Sequence, residues 1–336
     1  MCTTQDHIKM TTEQLLDVSD TVYIAFDLIL NCFLSLLLAM LGFVGNILNI
    51  CVLSQQGMRD TTNLLLLYLA VSDLIFSFLT LVYRIPNVVF YFDKHLSVSL
   101  KYCYFQVLDS IKLLSLFCST YFITMLSVER MFAVCFPFQV SRIVTRFRIK
   151  ITAMCITVIL FLFLSPMYGF AYLDTAIVDN VTEIWRYGTP FYFDNYSFFS
   201  TFYLSIFINV YSMGIPIIII TSCTIMTIIK VKTSYQTIQC MSDTVRVKRV
   251  QEIRSVKISL FLSTFLILFV IVPPGIIETL LFTRYSDLRL TLKSVELLIS
   301  SEQMIYVLNS SFNFIVYVIT SPKFAKKVKQ KLCDWK

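Results

Sequence analysis

Residues 28–58 contain no Asp, Glu, Lys or Arg, and neither do residues 113–128, 151–173, 195–229, 258–277 and 303–322. Residues 61–83 are interrupted only by Asp73. A helix that crosses a bilayer needs about 20 mostly apolar residues, whereas a barrel strand needs about 10. Charge-free windows of this length therefore read as membrane helices. They give seven spans, at 24–53, 62–90, 102–136, 149–172, 199–231, 254–283 and 294–320. Only 15% of the 336 residues are charged and 57% are hydrophobic, against about 25% charged in a soluble chain. The fold class expected is an all-α membrane bundle embedded in lipid.

An odd number of spans puts the termini on opposite sides. Lys and Arg fall 19 on the C-terminal side and 8 on the Met1 side, with Lys112 inside a span. By the positive-inside rule the C-terminus is cytoplasmic and the N-terminus extracellular, as in a plasma-membrane protein. The formal charge of +7 is thus a topology signal and implies no nucleic-acid partner. Residues 1–20 lack an apolar signal-peptide core, so the first span is expected to direct insertion. Asn180-Val-Thr and Asn195-Tyr-Ser are glycosylation sequons on the outer side, while Asn309-Ser-Ser lies in the last span.

Polar groups inside spans are costly and mark function. Asp73 sits in the middle of span two. Ser119, Asn309, Ser310 and Asn313 supply further oxygen atoms, the ligand type of a hard cation such as sodium. A carboxyl neutralised by protonation or by its neighbours is the alternative. Glu129-Arg130 ends span three, either as an interfacial ion pair or as a switch. Pro166, Pro216, Pro273 and Pro274 interrupt spans four to six, where each removes a backbone donor and kinks its helix. Asp109 and Lys112, three apart, share a helical face.

In order along the chain these residues resemble the rhodopsin-like (class A) G-protein-coupled receptors. Gly45-Asn46 resembles the signature of span one, and Leu69-Ala-Val-Ser-Asp73 that of span two. Ser127-Val-Glu-Arg130 with Ala133-Val-Cys-Phe-Pro-Phe138 resembles the acid–Arg motif and second inner loop. Asn309-Ser-Ser-Phe-Asn-Phe-Ile-Val-Tyr317 resembles the Asn-Pro-x-x-Tyr region, and Ser321-Pro-Lys-Phe-Ala-Lys-Lys the amphipathic eighth helix. Met58-Arg-Asp-Thr-Thr-Asn63 resembles invertebrate receptors for FMRFamide-type neuropeptides.

The resemblance implies three regions: an extracellular tail at 1–23, a seven-helix receptor domain at 24–320, and helix eight with a short tail at 321–336. It implies a receptor, not an enzyme, that binds an extracellular ligand and activates a heterotrimeric G protein. Glu129, Arg130, Phe138, Asn313 and Tyr317 would form the coupling switch. Asp73, Ser119, Asn309, Ser310 and Asn313 would form an allosteric sodium pocket, with no other cofactor. Arg84, Asp109, Lys112, Glu278 and Gln303 fall at ligand-pocket positions, and Cys333 is a palmitoylation candidate.

The departures are as informative. Span four has no Trp, Ile271 or Val272 stands before the span-six proline, and Phe314 replaces the span-seven proline. Cys103 resembles the half-cystine above span three, yet residues 173–198 hold no Cys, leaving Cys2 or no partner. Lys112 falls where amine receptors keep an Asp, and an internal bridge to Asp109 or Glu278 is the alternative to a ligand contact. Eleven outer acids against 8 bases favour a basic or amidated peptide by steering. The aromatic run from Trp185 to Phe199 forms either a stacking surface or an interfacial belt. A decoy that binds without coupling, or a receptor for a lipid or small metabolite, is the alternative function. A transporter or channel is disfavoured by only 7 Gly and no internal repeat.

Overall fold

The computed structural model describes residues 19–56, 60–169, 171–179, 181–195, 210–238, 292–320 and 325–330. The first span is α1 (Asp20–Asp27), a π-helical segment Leu28–Leu34 and α2 (Ser35–Gln56). It is followed by α3 (Thr61–Val89), α4 (Lys94–Cys135), a turn α5 (Val140–Ile143) and α6 (Arg146–Leu164). Next come β1 (Ala171–Val178), β2 (Val181–Gly188) and a short α7 (Pro190–Asp194). A π-helical turn Val210–Gly214 leads into α8 (Ile215–Ile238), and α9 (Leu292–Thr320) ends the described bundle. Span six, with Pro273, Pro274 and Glu278, lies outside the described residues, as do Cys2, Asn180 and Cys333.

Short polar side chains start the helices. Asp60 accepts from the Thr62 amide at 3.3 Å and Asp93 from the Leu96 amide at 3.0 Å. Thr145 accepts from the Arg148 amide at 3.4 Å. Each satisfies one of the donors that a helix N-terminus leaves open. Span four ends at Leu164, short of the expected residue 172, in a tight 3-10 turn Ser165–Gly169 that contains Pro166. A proline has no amide to continue the ladder. The following residues form an antiparallel hairpin instead of helix, in the register Ala171 to Gly188 through Val178 to Val181. Asp179 takes the left-handed conformation at its turn, φ 51°, which Asp tolerates better than most residues.

In lipid, apolar contact between helices gains little over contact with acyl chains, so close packing and buried polar groups decide the arrangement. Phe33, Met40, Phe161, Leu162 and Ile218 are exposed and face the lipid side. Among the membrane-length helices α4 is the most enclosed and α6 the least. Leu69, Phe76, Leu116, Phe122, Ile220 and Val307 meet around α4 in the main core. Two glycines set how closely α2 approaches its neighbours. A Cβ on Gly42 would lie 2.6 Å from Ser77 Oγ and 2.8 Å from Ser311 Oγ, and one on Gly45 would lie 2.8 Å from Phe314 Cβ. Phe314, where the family's proline is expected, thus fills a notch that only glycine leaves open. Residues 325–330 are helical, and Val328 packs with Val52, Val316 and Tyr317 at the inner end.

Candidate functional site

Four polar clusters lie along α4, whose rise is about 1.5 Å per residue; the outermost ties it to the hairpin and the other three tie it to α3, two of them also to α9.

The outermost cluster holds the hairpin. His95, Ser99 and Tyr102 recur at i, i+4 and i+7, so they share one face of α4. Glu183 and Trp185 alternate onto one face of β2 by the strand period of two. His95 Nδ1 lies 2.5 Å from Glu183 Oε1, and Glu183 is only 3% exposed. Trp185 Nε1 donates to Glu183 Oε2 at 2.7 Å, and the Ile184 amide donates to Ser99 Oγ at 2.9 Å. The Trp185 ring packs on Tyr102 at 5.4 Å between centroids. Within the aromatic run, then, Trp185 packs on protein. Cys103 sits one residue off this face and forms no disulfide among the described residues.

The second cluster lines a cavity of about 210 Å³ between α3, α4 and α9. It brings together four of the expected pocket residues: Arg84, Asp109, Lys112 and Gln303. Arg84 donates from Nε to Ser35 Oγ at 3.2 Å and from Nη2 to Gln303 Oε1 at 3.0 Å. Lys112 Nζ is 3.6 Å from Asp109 Oδ1 and 4.1 Å from the Tyr83 ring centroid. Of the two partners left open for Lys112, Asp109 lies within ion-pair distance, and Glu278 is outside the described residues. Glu302, Tyr306 and Tyr83 also line the cavity, and the Tyr306 hydroxyl donates to Glu302 Oε1 at 2.7 Å. Sequence reading passed over all three. Glu302 was legible by the rule that singled out Asp73, an acid within a membrane span.

The third cluster centres on Asp73, 1% exposed. Ser119 Oγ donates to Asp73 Oδ1 at 2.7 Å, and Asn313 Nδ2 donates to Asp73 Oδ2 at 2.5 Å. Asp73 therefore joins α3, α4 and α9 at one point. Ser310 does not bond Asp73. Its hydroxyl lies 3.1 Å from Ser77 Oγ, and its carbonyl accepts from Asn46 Nδ2 at 3.0 Å. Asn309 is buried, and its Nδ2 has no hydrogen-bond partner among the described residues.

The innermost cluster is a latch. Arg130 Nε lies 3.2 Å from Glu129 Oε2. Thr62 Oγ1 donates to Glu129 Oε1 at 3.0 Å and accepts from Arg130 Nη2 at 2.7 Å, so it bridges both ions. Thr61 donates to Glu129 Oε1 at 3.4 Å. A cavity of about 370 Å³ lies beside Glu129, walled by Tyr121, Phe132, Val144, Ile149 and Ile219. Tyr317 is buried and Phe138 is 98% exposed just beyond α4.

Membrane-length helices with their polar groups turned inward, beneath a hairpin that caps one end, define a polytopic membrane scaffold. Residues 45–317 match the 7 transmembrane receptor (rhodopsin family), and the chain belongs to that family with its seven-helix bundle. It is similar to growth hormone secretagogue receptor type 1 of Sus scrofa, 32% identical over 132 residues, or 39% of this chain and 35% of that receptor. The same receptor of Homo sapiens is 30% identical over 149 residues, or 44% and 38%. The G-protein coupled receptor homolog Q2/3L of Sheeppox virus (strain KS-1) is 25% identical over 292 residues, or 86% and 69%. The chain spans about a third of the length of the secretagogue receptors it matches.

Proposed function

We propose that the protein is a plasma-membrane receptor for an extracellular peptide, which it couples to a heterotrimeric G protein on the cytoplasmic side. The observation that carries this reading is the Thr62–Glu129–Arg130 latch at the end of α4 opposite the hairpin. An Arg held by one acid and one hydroxyl is a two-state element. Separating α3 from α4 breaks the Thr62 contacts and frees the guanidinium for a partner protein. A ligand that binds the separated arrangement more tightly than the latched one shifts the population toward it. Phe138, fully exposed beside the latch, offers an apolar contact for the same partner. Asn313 and Tyr317 carry the shift along α9 from the Asp73 cluster to the inner end.

A sodium ion fits the Asp73 cluster in its chemistry. Asp73 and Ser119 present carboxylate and hydroxyl oxygens, the hard donors such a cation takes, and Asn313, whose amide nitrogen faces Asp73, would turn its oxygen inward to join them. They would hold it, and it would supply a counter-charge to the buried carboxylate, favouring the latched state.

The reading is tested in cells expressing the full chain, with cyclic AMP and calcium read together. Arg130→Ala is expected to abolish basal and stimulated signalling while surface expression persists. Thr62→Val is expected to raise basal signalling about threefold or more, since a lost hydrogen bond to a charged group is worth about 1.5–3 kcal/mol. Normal signalling by Arg130→Ala overturns the coupling assignment.

A further inference from the structure

Two cations face the cavity between α3, α4 and α9, and among the described residues only one of them has a carboxylate within ion-pair distance. Arg84 is 4% exposed. Its bonds at Nε and Nη2 run to the neutral acceptors Ser35 Oγ and Gln303 Oε1. Lys112, 6% exposed, has Asp109 at the long distance of 3.6 Å. A guanidinium stays protonated under all ordinary conditions. Burying it against neutral acceptors alone is costly unless an anion arrives to pair with it. Ser35 and Gln303 meanwhile fix the plane of the fork, so it is preorganised for an incoming group.

We propose that this cavity takes a carboxylate group of the ligand, with Arg84 as the fork and Lys112 as the second positive charge. The location rests on the receptor reading above. A carboxylate matches a guanidinium with two parallel N–H···O bonds, and the two acids that share the lining are Asp109 and Glu302. Asp109 holds Lys112 in place, and Glu302 accepts from Tyr306. The volume of about 210 Å³ is below the roughly 300–1,000 Å³ of drug-sized sites. It therefore admits one residue-sized group. That group is the free C-terminal residue of a peptide or a whole small organic acid. The acidic outer surface suits a basic peptide body, so a free-acid peptide with basic residues before its C-terminus is the ligand of choice, and an amidated one is disfavoured.

The experiment uses the purified full-length receptor in lipid nanodiscs, with apparent Kd taken from the shift in thermal unfolding across a titration. The probes are N-acetyl-phenylalanine and its amide, and Lys-Lys-Phe with a free or an amidated C-terminus. Each acid is expected to bind at least about tenfold more tightly than its amide, the scale of one charge-assisted pair. Arg84→Gln is expected to reduce that preference to about twofold or less, chiefly by weakening the acids. Lys112→Gln should reduce it partially, which covers the case in which the Arg84 variant fails to fold. Tighter binding of the peptide acid assigns the group to a peptide terminus, and tighter binding of the acetyl acid assigns it to a small metabolite. Equal behaviour of acid and amide, including no shift from either, overturns the proposal. So does an acid preference that appears only in Glu278→Gln, because Glu278 would then be the counter-ion. The readout involves no G protein. A failure here with Arg130→Ala still silent leaves the coupling assignment standing, and the converse separates them equally.

Discussion

Asp73 shows how much one side chain can fix in a membrane bundle. Its two oxygens accept from Ser119 on α4 and Asn313 on α9, so a single residue of α3 pins three helices. If the cluster binds sodium, the ion stabilises the folded state by RT ln(1 + [L]/Kd), about 1.4 kcal/mol at ten times Kd. Unfolding of the purified receptor should therefore occur a few degrees higher in sodium chloride than in potassium chloride at equal ionic strength. Asp73→Asn, which keeps the shape and removes the charge, should lose that difference. A difference that survives the substitution places the ion elsewhere. At this scale the sequence was legible wherever a residue was out of place in lipid. Asp73, Arg84, Lys112, Glu129 and Arg130 all announce themselves by the cost of a charge within or beside a span. Thr62, Ser35 and Tyr83 do not. Hydroxyls and aromatic rings are tolerated anywhere in a membrane helix, so only their geometry reveals that they complete the latch and the cavity. Gly42 and Gly45 likewise read as ordinary until Ser77, Ser311 and Phe314 are seen against them.

At the scale of elements, the hairpin and α4 carry the clearest departure from the family pattern. The expected half-cystine in the outer loop is missing, and the structure places His95–Glu183, Ser99–Ile184 and Tyr102–Trp185 at the same junction. The tether is thus built from hydrogen bonds and one aromatic contact. Removing a partner of the buried Glu183 leaves an acceptor unsatisfied, at a cost of about 1–3 kcal/mol. Amide hydrogen exchange over residues 171–188 should accelerate about tenfold in His95→Ala and should not change when dithiothreitol is added to the wild type. Loosening by dithiothreitol alone would mean that Cys103 is tethered to a thiol outside the described residues. The hairpin itself was written in the sequence, in β-branched and aromatic residues either side of Asp179-Asn180. It was obscured because the apolar window of span four runs on past Pro166 as far as Leu173. Window length marks how far lipid-compatible residues continue, and in span four Pro166 sits where the α-helix gives way to the 3-10 turn.

For the whole molecule, burial and charge describe one orientation. Phe33, Met40, Phe161 and Leu162 stay exposed on the membrane-length helices, and the latch lies toward the side rich in Lys and Arg. The seven-span count followed from charge-free windows because every residue in lipid must satisfy its backbone within its own helix. The order in which helices pack around α4 did not follow, because it depends on glycine notches and buried hydroxyls with no periodic signature. The assignment of sides makes a further prediction that needs no ligand. Asn195 follows α7 on the hairpin side, and Asn180 is the next residue after Asp179 at the hairpin turn. Both are expected to carry glycans, whereas Asn309, 2% exposed within α9, is expected to stay bare. Glycosidase treatment of the receptor from eukaryotic cells should lower its mass on a denaturing gel. The Asn180→Gln/Asn195→Gln double variant should migrate at the deglycosylated position without treatment. A sequon introduced near residue 242, in the segment that follows α8, should remain unmodified. Modification there, with the hairpin sites bare, would reverse the orientation and put the Arg84 cavity and the Arg130 latch on the wrong sides for their proposed partners.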